Sequence, residues 1–257
     1  MIKRNHPLIV GNWKTTPSTL QEAVKFIKQL DKKCTSTKSI LPKKSYYLAV
    51  PDMFISELHA IATAGYIGAQ NVSGVSLGQT TGGTVPSQLV SVGASFTIIG
   101  HSEVRKAGET VDARAKKVAL SLQAKLPTVL CFGETERDQE GNYLNTLEED
   151  VKQTLSLADR SLFENLIVAY EPVWAIGAAV PASPFECFEV VIALRRALGS
   201  SAGIEYAKKV SVLYGGAVTP DNATLFLEEG GVDGLLIGRA SQNVDSFIEI
   251  LTVCHNK

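Results

Sequence analysis

The stretch LIVAYEPV, residues 166–173, is an apolar run that reaches a carboxylate, Glu171, and then a proline. Other short apolar runs recur along the chain, and each is followed by a longer stretch with the spacing of an amphipathic helix. All of the runs are continuously apolar, which is typical of parallel strands covered on both faces. The others are LIVGNWK (8–14), YYLAV (46–50), YIGAQNV (66–72), FTIIGHS (96–102), PTVLCFGE (127–134), VSVLYGGAV (210–218) and DGLLIGRAS (233–241).

Helix signals separate these runs. Pro17 and Ser18 precede an apolar stripe formed by Leu20, Ala23, Val24, Ile27 and Leu30. Ser183-Pro184 and Thr219-Pro220 place proline where the first turn of a helix tolerates it. The stretches 109–126 and 144–158 are rich in residues that favour helices. The chain therefore predicts strands that alternate with helices.

This alternation fits a closed barrel and an open, doubly wound sheet equally well. Neither a GxGxxG nor a GxxxxGK[ST] stretch is present, which argues against the usual dinucleotide and P-loop sites. Because no linker or change of composition interrupts the pattern, we expect residues 1–257 to form one domain.

The ends of the runs decide between the two architectures. Polar residues gather at the carboxyl ends: Asn12, Lys14, His101, Glu103, Glu134 and Glu171. In a (β/α)8 barrel all of these ends meet on one face, where such enzymes hold their active sites. The sequence therefore predicts an α/β protein folded as a single-domain (β/α)8 barrel with a catalytic site on that face.

The same segments resemble a known family, the triosephosphate isomerases. The resemblance rests on motifs that occur in the family's order and spans essentially the whole chain. They are GNWK (11–14), GAQNVS (68–73), IIGHSE (98–103), CFGET (131–135), AYEPVWAIG (169–177), YGGAV (214–218) and LLIGRAS (235–241). The resemblance implies an isomerase of triose phosphates that needs no metal or organic cofactor.

Glu171 and His101 are the candidates for proton transfer. Removing a proton from carbon beside a carbonyl suits a carboxylate that is shielded from water, and Ile176 and Leu236 supply the apolar shield by resemblance. A helix that starts beyond His101, at Ser102 and Glu103, would disfavour the imidazolium and leave a neutral ring to polarise substrate oxygens. Taken alone, the carboxylate could instead cap a helix and the histidine could be a core residue.

Lys14 offers a fixed cation for the phosphate and for the charge of an enediolate, and Asn12 can donate to the same oxygen. In the family Glu103 pairs with this lysine. Without that context, Lys14 would be read as a surface lysine and Asn12 as a turn residue.

Backbone N–H groups are the candidates for binding the phosphate. Those of Gly177, Gly216, Ala217, Gly238 and Arg239 follow strands or lie in the lid, and a short helix near Gln242 would add a positive dipole end. Outside a barrel these glycines would simply mark turns. The segment 174–180 is the expected lid, and the resemblance implies a hydrogen bond from Tyr214 to it when it closes.

Several positions depart from the family pattern. Ala178-Ala179 in the lid, Ala217 and Arg239 replace the family's usual residues, so lid closure and phosphate binding are expected to be altered rather than lost. Gly83 and Val104 together replace a charged pair that the family places across its dimer interface. Removing both charges can be neutral, so we expect a looser homodimer in which Thr81 reaches Asn12 of the other subunit.

Composition excludes other classes of protein. With 25 basic and 26 acidic residues, the chain has no excess charge that would favour nucleic acid or a membrane surface. The 4 cysteines are widely separated and lack metal-site spacing, which is typical of reduced thiols in a cytoplasmic protein. An apolar strand begins so early that we expect no signal peptide, and no run is long enough to span a membrane.

Two other functions fit the sequence less well. A catalytically impaired barrel kept for binding is suggested by the changes in the lid and the phosphate loops, and another phosphosugar isomerase on the same fold is the second. The isomerisation of dihydroxyacetone phosphate and glyceraldehyde 3-phosphate is preferred, because the four residues Asn12, Lys14, His101 and Glu171 are intact.

Overall fold

The strands of the computed structural model form a closed barrel within the described residues, which are 6–36, 41–176 and 181–255. Eight strands are hydrogen-bonded in the order in which they occur in the chain, and every pairing is parallel. They are β1 (Leu8–Asn12), β2 (Tyr46–Val50), β3 (Gly65–Ala69), β4 (Thr97–Ile99), β5 (Thr128–Phe132), β6 (Leu166–Tyr170), β7 (Ser211–Tyr214) and β8 (Gly234–Ile237). The predicted (β/α)8 barrel is confirmed.

Helices connect the strands and surround the barrel. The α-helices are α1 (Leu20–Cys34), α2 (Ile55–Ile61), α3 (Pro86–Ser91), α4 (Ser102–Lys106), α5 (Val111–Gln123), α6 (Asn142–Leu155), α7 (Pro184–Ala202), α8 (Ile204–Ala207), α9 (Ala223–Glu229) and α10 (Val244–His255). Short 3-10 helices span Asp52–Phe54, Arg160–Asn165, Val173–Ala175 and Arg239–Gln242. Barrel closure puts the start of the chain beside its end, since Ile9 of β1 is in register with Leu235 of β8.

Local sequence explains where the long helices begin. Thr19 caps α1 and Ser183 caps α7, each in a capping box with a glutamate three residues later, and Pro184 occupies the first turn of α7. After Thr219-Pro220 the α-helix is assigned from Ala223. Thr219 O accepts the Ala223 N–H at 3.0 Å and Asn222 Oδ1 accepts the Thr219 N–H at 2.8 Å, so Pro220 lies in the turn that leads into the helix.

Two apolar layers hold the barrel together, and strand alternation sorts residues between them. In β6, Ile167 and Ala169 point into the barrel, whereas Val168 and Tyr170 pack outward against the helices. Glu171 follows with the parity of the inward residues. The stripe predicted for α1 is only partly buried, since Ala23, Ile27 and Leu30 are covered but Leu20 is exposed.

The strands are shorter than the apolar runs predict. Each predicted run except 46–50 loses residues at its carboxyl end or at both ends; the run 166–173, for example, stops as a strand at Tyr170. Asn12 is therefore the last residue of β1, whereas Lys14, His101 and Glu171 lie just beyond their strands. The Glu171 N–H still extends the sheet, because it donates to Phe132 O at 2.7 Å.

Candidate active site

The carboxyl ends of β1, β4 and β6 bring Lys14, His101 and Glu171 to one end of the barrel. Glu171 and His101 are both buried, and His101 Nε2 lies 3.1 Å from Glu171 Oε1. The other carboxylate oxygen, Oε2, accepts the Ser102 N–H at 2.9 Å. The base and the electrophile proposed from sequence therefore face one common space.

The hydrogen bonds of His101 define its tautomer. His101 caps α4, and its Nδ1 accepts the Glu103 N–H at 3.2 Å. A ring nitrogen that accepts carries no proton, so the proton of the neutral ring is on Nε2, the atom that faces Glu171. The start of α4 thus holds Nδ1, and the ring directs Nε2 toward Glu171.

The surroundings of Glu171 are apolar and tightly packed. A Cβ added to Gly215 would lie 3.2 Å from Glu171 Cγ and 3.4 Å from Leu236 Cβ, so Leu236 borders the carboxylate as expected. A Cβ on Gly133 would lie 1.6 Å from Glu171 O, which explains why glycine is needed after β5. Burial, followed by the charge of Glu171, raises the pKa of the Cys131 thiol well above its usual range, so this neighbour stays a neutral thiol.

Lys14 is held by its main chain as well as by its side chain. Its φ is 56°, a left-handed conformation that is unusual outside glycine, and Asn12 Oδ1 accepts its N–H at 3.0 Å. Gln70 Nε2 donates to Lys14 O at 2.6 Å. The Lys14 ammonium forms an ion pair with Glu103, as the resemblance implied.

Gln70 was missed as a site residue. It follows β3 directly, and this position at a strand's carboxyl end was the signal that could have identified it. Because Oδ1 of Asn12 is engaged, its NH₂ group is the part that can donate to a ligand; within the described residues this group donates no hydrogen bond.

The candidate phosphate residues follow the ends of β7 and β8. A Cβ on Gly238 would lie 3.5 Å from Lys14 Cε, so this glycine borders the lysine. No acceptor among the described residues takes the N–H groups of Gly216, Ala217, Gly238 and Arg239. The Arg239 side chain is exposed, and the short helix begins at Arg239 rather than at Gln242, which corrects the predicted position.

The lid is described only at its first residues. Ile176 is 43% exposed, so in this conformation it does not shield Glu171 as expected, and only Leu236 does. Gly177, Ala178 and Ala179 lie outside the described residues. The Tyr214 hydroxyl is buried without a hydrogen-bond partner among the described residues, and its predicted bond to the lid falls on that same segment.

A second buried glutamate holds the base of the lid. Glu134 Oε1 accepts hydrogen bonds from Arg137 Nε at 2.8 Å, Tyr170 Oη at 2.9 Å and Trp174 Nε1 at 2.8 Å. The Arg137 guanidinium also lies 5.2 Å from the centre of the Trp174 ring. Sequence reasoning gave Glu134 no role, because two of its partners, Tyr170 and Trp174, come from a distant segment of the chain.

Other kinds of site find no support in the described part of the chain. No group of three or more metal-ligating side chains occurs in residues 6–36, 41–176 and 181–255, and the four cysteines are buried and free. None of the described helices is long and apolar enough to cross a membrane.

Comparison with known proteins identifies relatives along nearly the whole chain. A family model described as triosephosphate isomerase matches residues 7–254. The chain is 37% identical over 255 residues to a protein of Leptospira biflexa named triosephosphate isomerase, covering 95% of this chain and 98% of that one. Proteins of the same name are 38% identical in Pseudomonas aeruginosa, covering 94% and 95% of the two chains, and 34% identical in Mycoplasma pneumoniae, covering 95% and 97%.

Proposed function

The chain belongs to the triosephosphate isomerase family, and we propose that Glu171, His101 and Lys14 carry out its reaction at the barrel end where they meet. The protein interconverts dihydroxyacetone phosphate and D-glyceraldehyde 3-phosphate, an aldose–ketose isomerisation that passes through an enediol or enediolate. The assignment of residues rests above all on the 3.1 Å contact between His101 Nε2 and Glu171 Oε1.

Glu171 is the base in this proposal. Its carboxylate is held by the His101 ring and the Ser102 N–H, and among the described residues it forms no ion pair with lysine or arginine. Both contacts are hydrogen bonds that substrate can replace, so the carboxylate can move onto the substrate carbon and accept its proton. The carboxylate is buried beside Leu236, which shields it from bulk water.

His101 acts as the electrophile. With Nδ1 occupied by the Glu103 N–H, the ring presents one N–H, on Nε2, to the substrate oxygens. A neutral donor can polarise the carbonyl and then move a proton between the two oxygens of the enediolate.

Lys14 supplies the positive charge. Its ion pair with Glu103 fixes the ammonium, and the hydrogen bond from Gln70 fixes its backbone, so little reorganisation is needed when charge develops on the substrate. Asn12 donates through its NH₂ group. The N–H groups of residues 216, 217, 238 and 239 bind the phosphate together with that of Gly177, and the Arg239 side chain, being exposed, stays outside this cradle.

The test is a coupled assay of glyceraldehyde 3-phosphate turnover on wild type and Glu171→Asp. Shortening the side chain withdraws the base by about 1 Å, which should lower kcat roughly 100-fold. The matched control is Glu164→Asp, an exposed acid that precedes β6 at the opposite end of the same strand, and its rates should equal those of wild type.

Equal rates for wild type and Glu171→Asp would contradict the assignment of the base. A wild-type protein that binds the substrate without turning it over would indicate a barrel kept for binding. A product other than dihydroxyacetone phosphate would indicate a different phosphosugar isomerase.

The oligomeric state and location belong to the same proposal: one domain over residues 1–257 that forms a cytoplasmic homodimer. Thr81 is exposed on the loop after β3, where a second subunit can receive it, and Gly83 and Val104 leave no unpaired charge there. Analytical ultracentrifugation across dilution should show a dimer that loosens progressively. A protein that is monomeric at micromolar concentration would contradict the dimer.

A further inference from the structure

The outer face of α7 carries a row of exposed apolar side chains, the α7 stripe, made of Phe185, Phe188 and Ile192. These residues are 76%, 43% and 52% exposed, respectively. They recur with the spacing of a helix seam, whereas the outward face of a barrel helix is normally polar. The Phe188 ring lies against the turn before β8, since a Cβ on Gly231 would lie 2.7 Å from it, so part of this surface is already fixed in place.

We propose that the α7 stripe binds the same stripe of a second copy of this chain, with the two helices antiparallel about a twofold axis at Ile192. This interface is separate from the one proposed for the loop after β3. We choose a second copy as the partner because of the residue pattern of α7. Residues that lie equally far from Ile192 on its two sides complement each other, so the helix can pair with an antiparallel copy of itself.

The first complementarity is one of size. Phe185 and Gly199 are equally distant from Ile192 along the helix, so the twofold axis places the large ring of each copy against the glycine of the other. A Cβ added to Gly199 would meet nothing within 4 Å, so the surface there is open. A ring can therefore occupy the space that a side chain would otherwise fill.

The second complementarity is one of charge. Glu189 and Arg195 are equally distant from Ile192, and so are Phe188 and Arg196. The axis thus brings an acid of each copy to a base of the other, and a guanidinium to an aromatic ring. Glu189, Arg195 and Arg196 all keep exposed surface after their contacts within the chain, so each can make the second contact.

A symmetric contact of this kind is isologous and closes after two copies. Combined with the dimer proposed above, it would join dimers to one another through their stripes as concentration rises. Neither interface requires the other, so they can be tested separately.

The decisive experiment is Ile192→Cys under mild oxidation, read as covalent dimer on a non-reducing gel. On a twofold axis the two introduced thiols meet each other, and the four native cysteines are buried and should not react. The matched control is Ile204→Cys, which is 66% exposed on α8 but lies off the stripe. We expect Ile192→Cys to cross-link at least about tenfold faster than the control, because a disulfide needs its Cα atoms within reach.

A second measurement is sedimentation equilibrium of wild type and Phe185→Glu. At concentrations where the dimer of the loop after β3 is complete, the wild type should still gain mass by further association, and the variant should weaken that step by at least about 30-fold, as expected for the loss of an aromatic anchor. Unchanged isomerase activity of Phe185→Glu would show that it is folded. Equal cross-linking of the two cysteine variants, or a wild-type mass that does not rise, would overturn the proposal.

Discussion

Glu134 and Glu171 follow neighbouring strands, β5 and β6, and both are buried, yet the structure uses them in different ways. Glu134 is bound by a guanidinium, a phenol and an indole N–H, all on one oxygen. Glu171 meets one neutral imidazole, one backbone N–H and a neutral thiol. The first carboxylate is fixed as part of the scaffold, and the second can exchange its partners.

Strand alternation causes this difference. Phe132 of β5 packs outward, and Glu134 shares its parity, so it enters the layer between barrel and helices, where Arg137 is available. Glu171 shares the parity of Ala169 and faces the interior. Burial and strand-end position therefore do not by themselves identify a catalytic acid, whereas the face of the strand and the absence of a paired cation do.

The largest expected effect is on kcat, and its absence would contradict the difference between Glu134 and Glu171. Glu171→Gln removes the base and should lower kcat roughly 10³-fold, the scale on which general bases act. Glu134→Gln, the matched change one strand away, keeps a hydrogen-bond acceptor and should leave kcat within about tenfold of wild type. Steady-state kinetics of both variants in the coupled assay provide the measurement. Comparable losses in the two would show that neither carboxylate is the distinct base.

The free energy of unfolding should be lowered more by Glu134→Gln than by Glu171→Gln, the reverse of the order expected for kcat. Glu134→Gln removes the carboxylate that accepts the Arg137 Nε–H, although Glu189 and Glu186 stay within 3.5 and 3.9 Å of the guanidinium. Losing a hydrogen bond to a charged group costs about 2 kcal/mol of unfolding free energy. Glu171→Gln breaks no pair with lysine or arginine and should change that free energy by less than about 1 kcal/mol. Urea unfolding followed by circular dichroism measures both. If Glu171→Gln were the less stable of the two, the view of Glu134 as the fixed carboxylate would be wrong.

The smallest effect tests the neutral thiol beside Glu171. The pKa of Cys131 is raised in the folded protein from a usual value of 9.0, so its thiol stays protonated when the unfolded chain ionises. The contribution of Cys131 to the free energy of unfolding is therefore fully present below pH 9.0 and declines as the pH rises above that value. In Cys131→Ala the free energy of unfolding should fall less steeply with pH, by up to about 1.4 kcal/mol per pH unit.

Urea unfolding between pH 8 and 10 provides the measurement. Cys187→Ala is the control, because burial also raises the pKa of Cys187, to about 12, at a site away from Glu171. Cys131→Ala should flatten the pH profile at least as much as the control does. A Cys131→Ala profile parallel to that of wild type would mean that the Cys131 thiol ionises over the same pH range in the folded and the unfolded chain, which the comparison does not allow.

The barrel could be predicted from sequence because its signal is repeated: each strand is a continuous apolar run, and each carboxyl end carries polar residues. Strand ends could not be predicted as well. Residues such as Gly11, Gly100 and Gly133 look alike in an apolar run, and only the hydrogen bonds of the closed barrel decide where pairing stops.

The candidate catalytic residues could be named from sequence, but their support could not. The tautomer of His101 depends on an N–H two residues later, and the backbone of Lys14 depends on Gln70, which lies 56 positions away in the chain. The group around Glu134 joins two distant segments, 134–137 and 170–174, through one oxygen atom. In a continuously apolar strand the sequence does not show which face a residue occupies. Glu134 and Glu171 therefore look equivalent in the sequence, and only the structure shows that they lie on opposite faces of the barrel wall.

Pairing of the first strand with the last has a consequence for the timing of synthesis. Trp13 donates to the carbonyl of Ser241, and Gly238 borders the Lys14 side chain, so the charged part of the site is shared by the two extremes of the polypeptide. A chain still on the ribosome has made Lys14 but not yet its neighbours from β8. Enzymatic activity should therefore appear only after translation is nearly complete, however early the other strands pair.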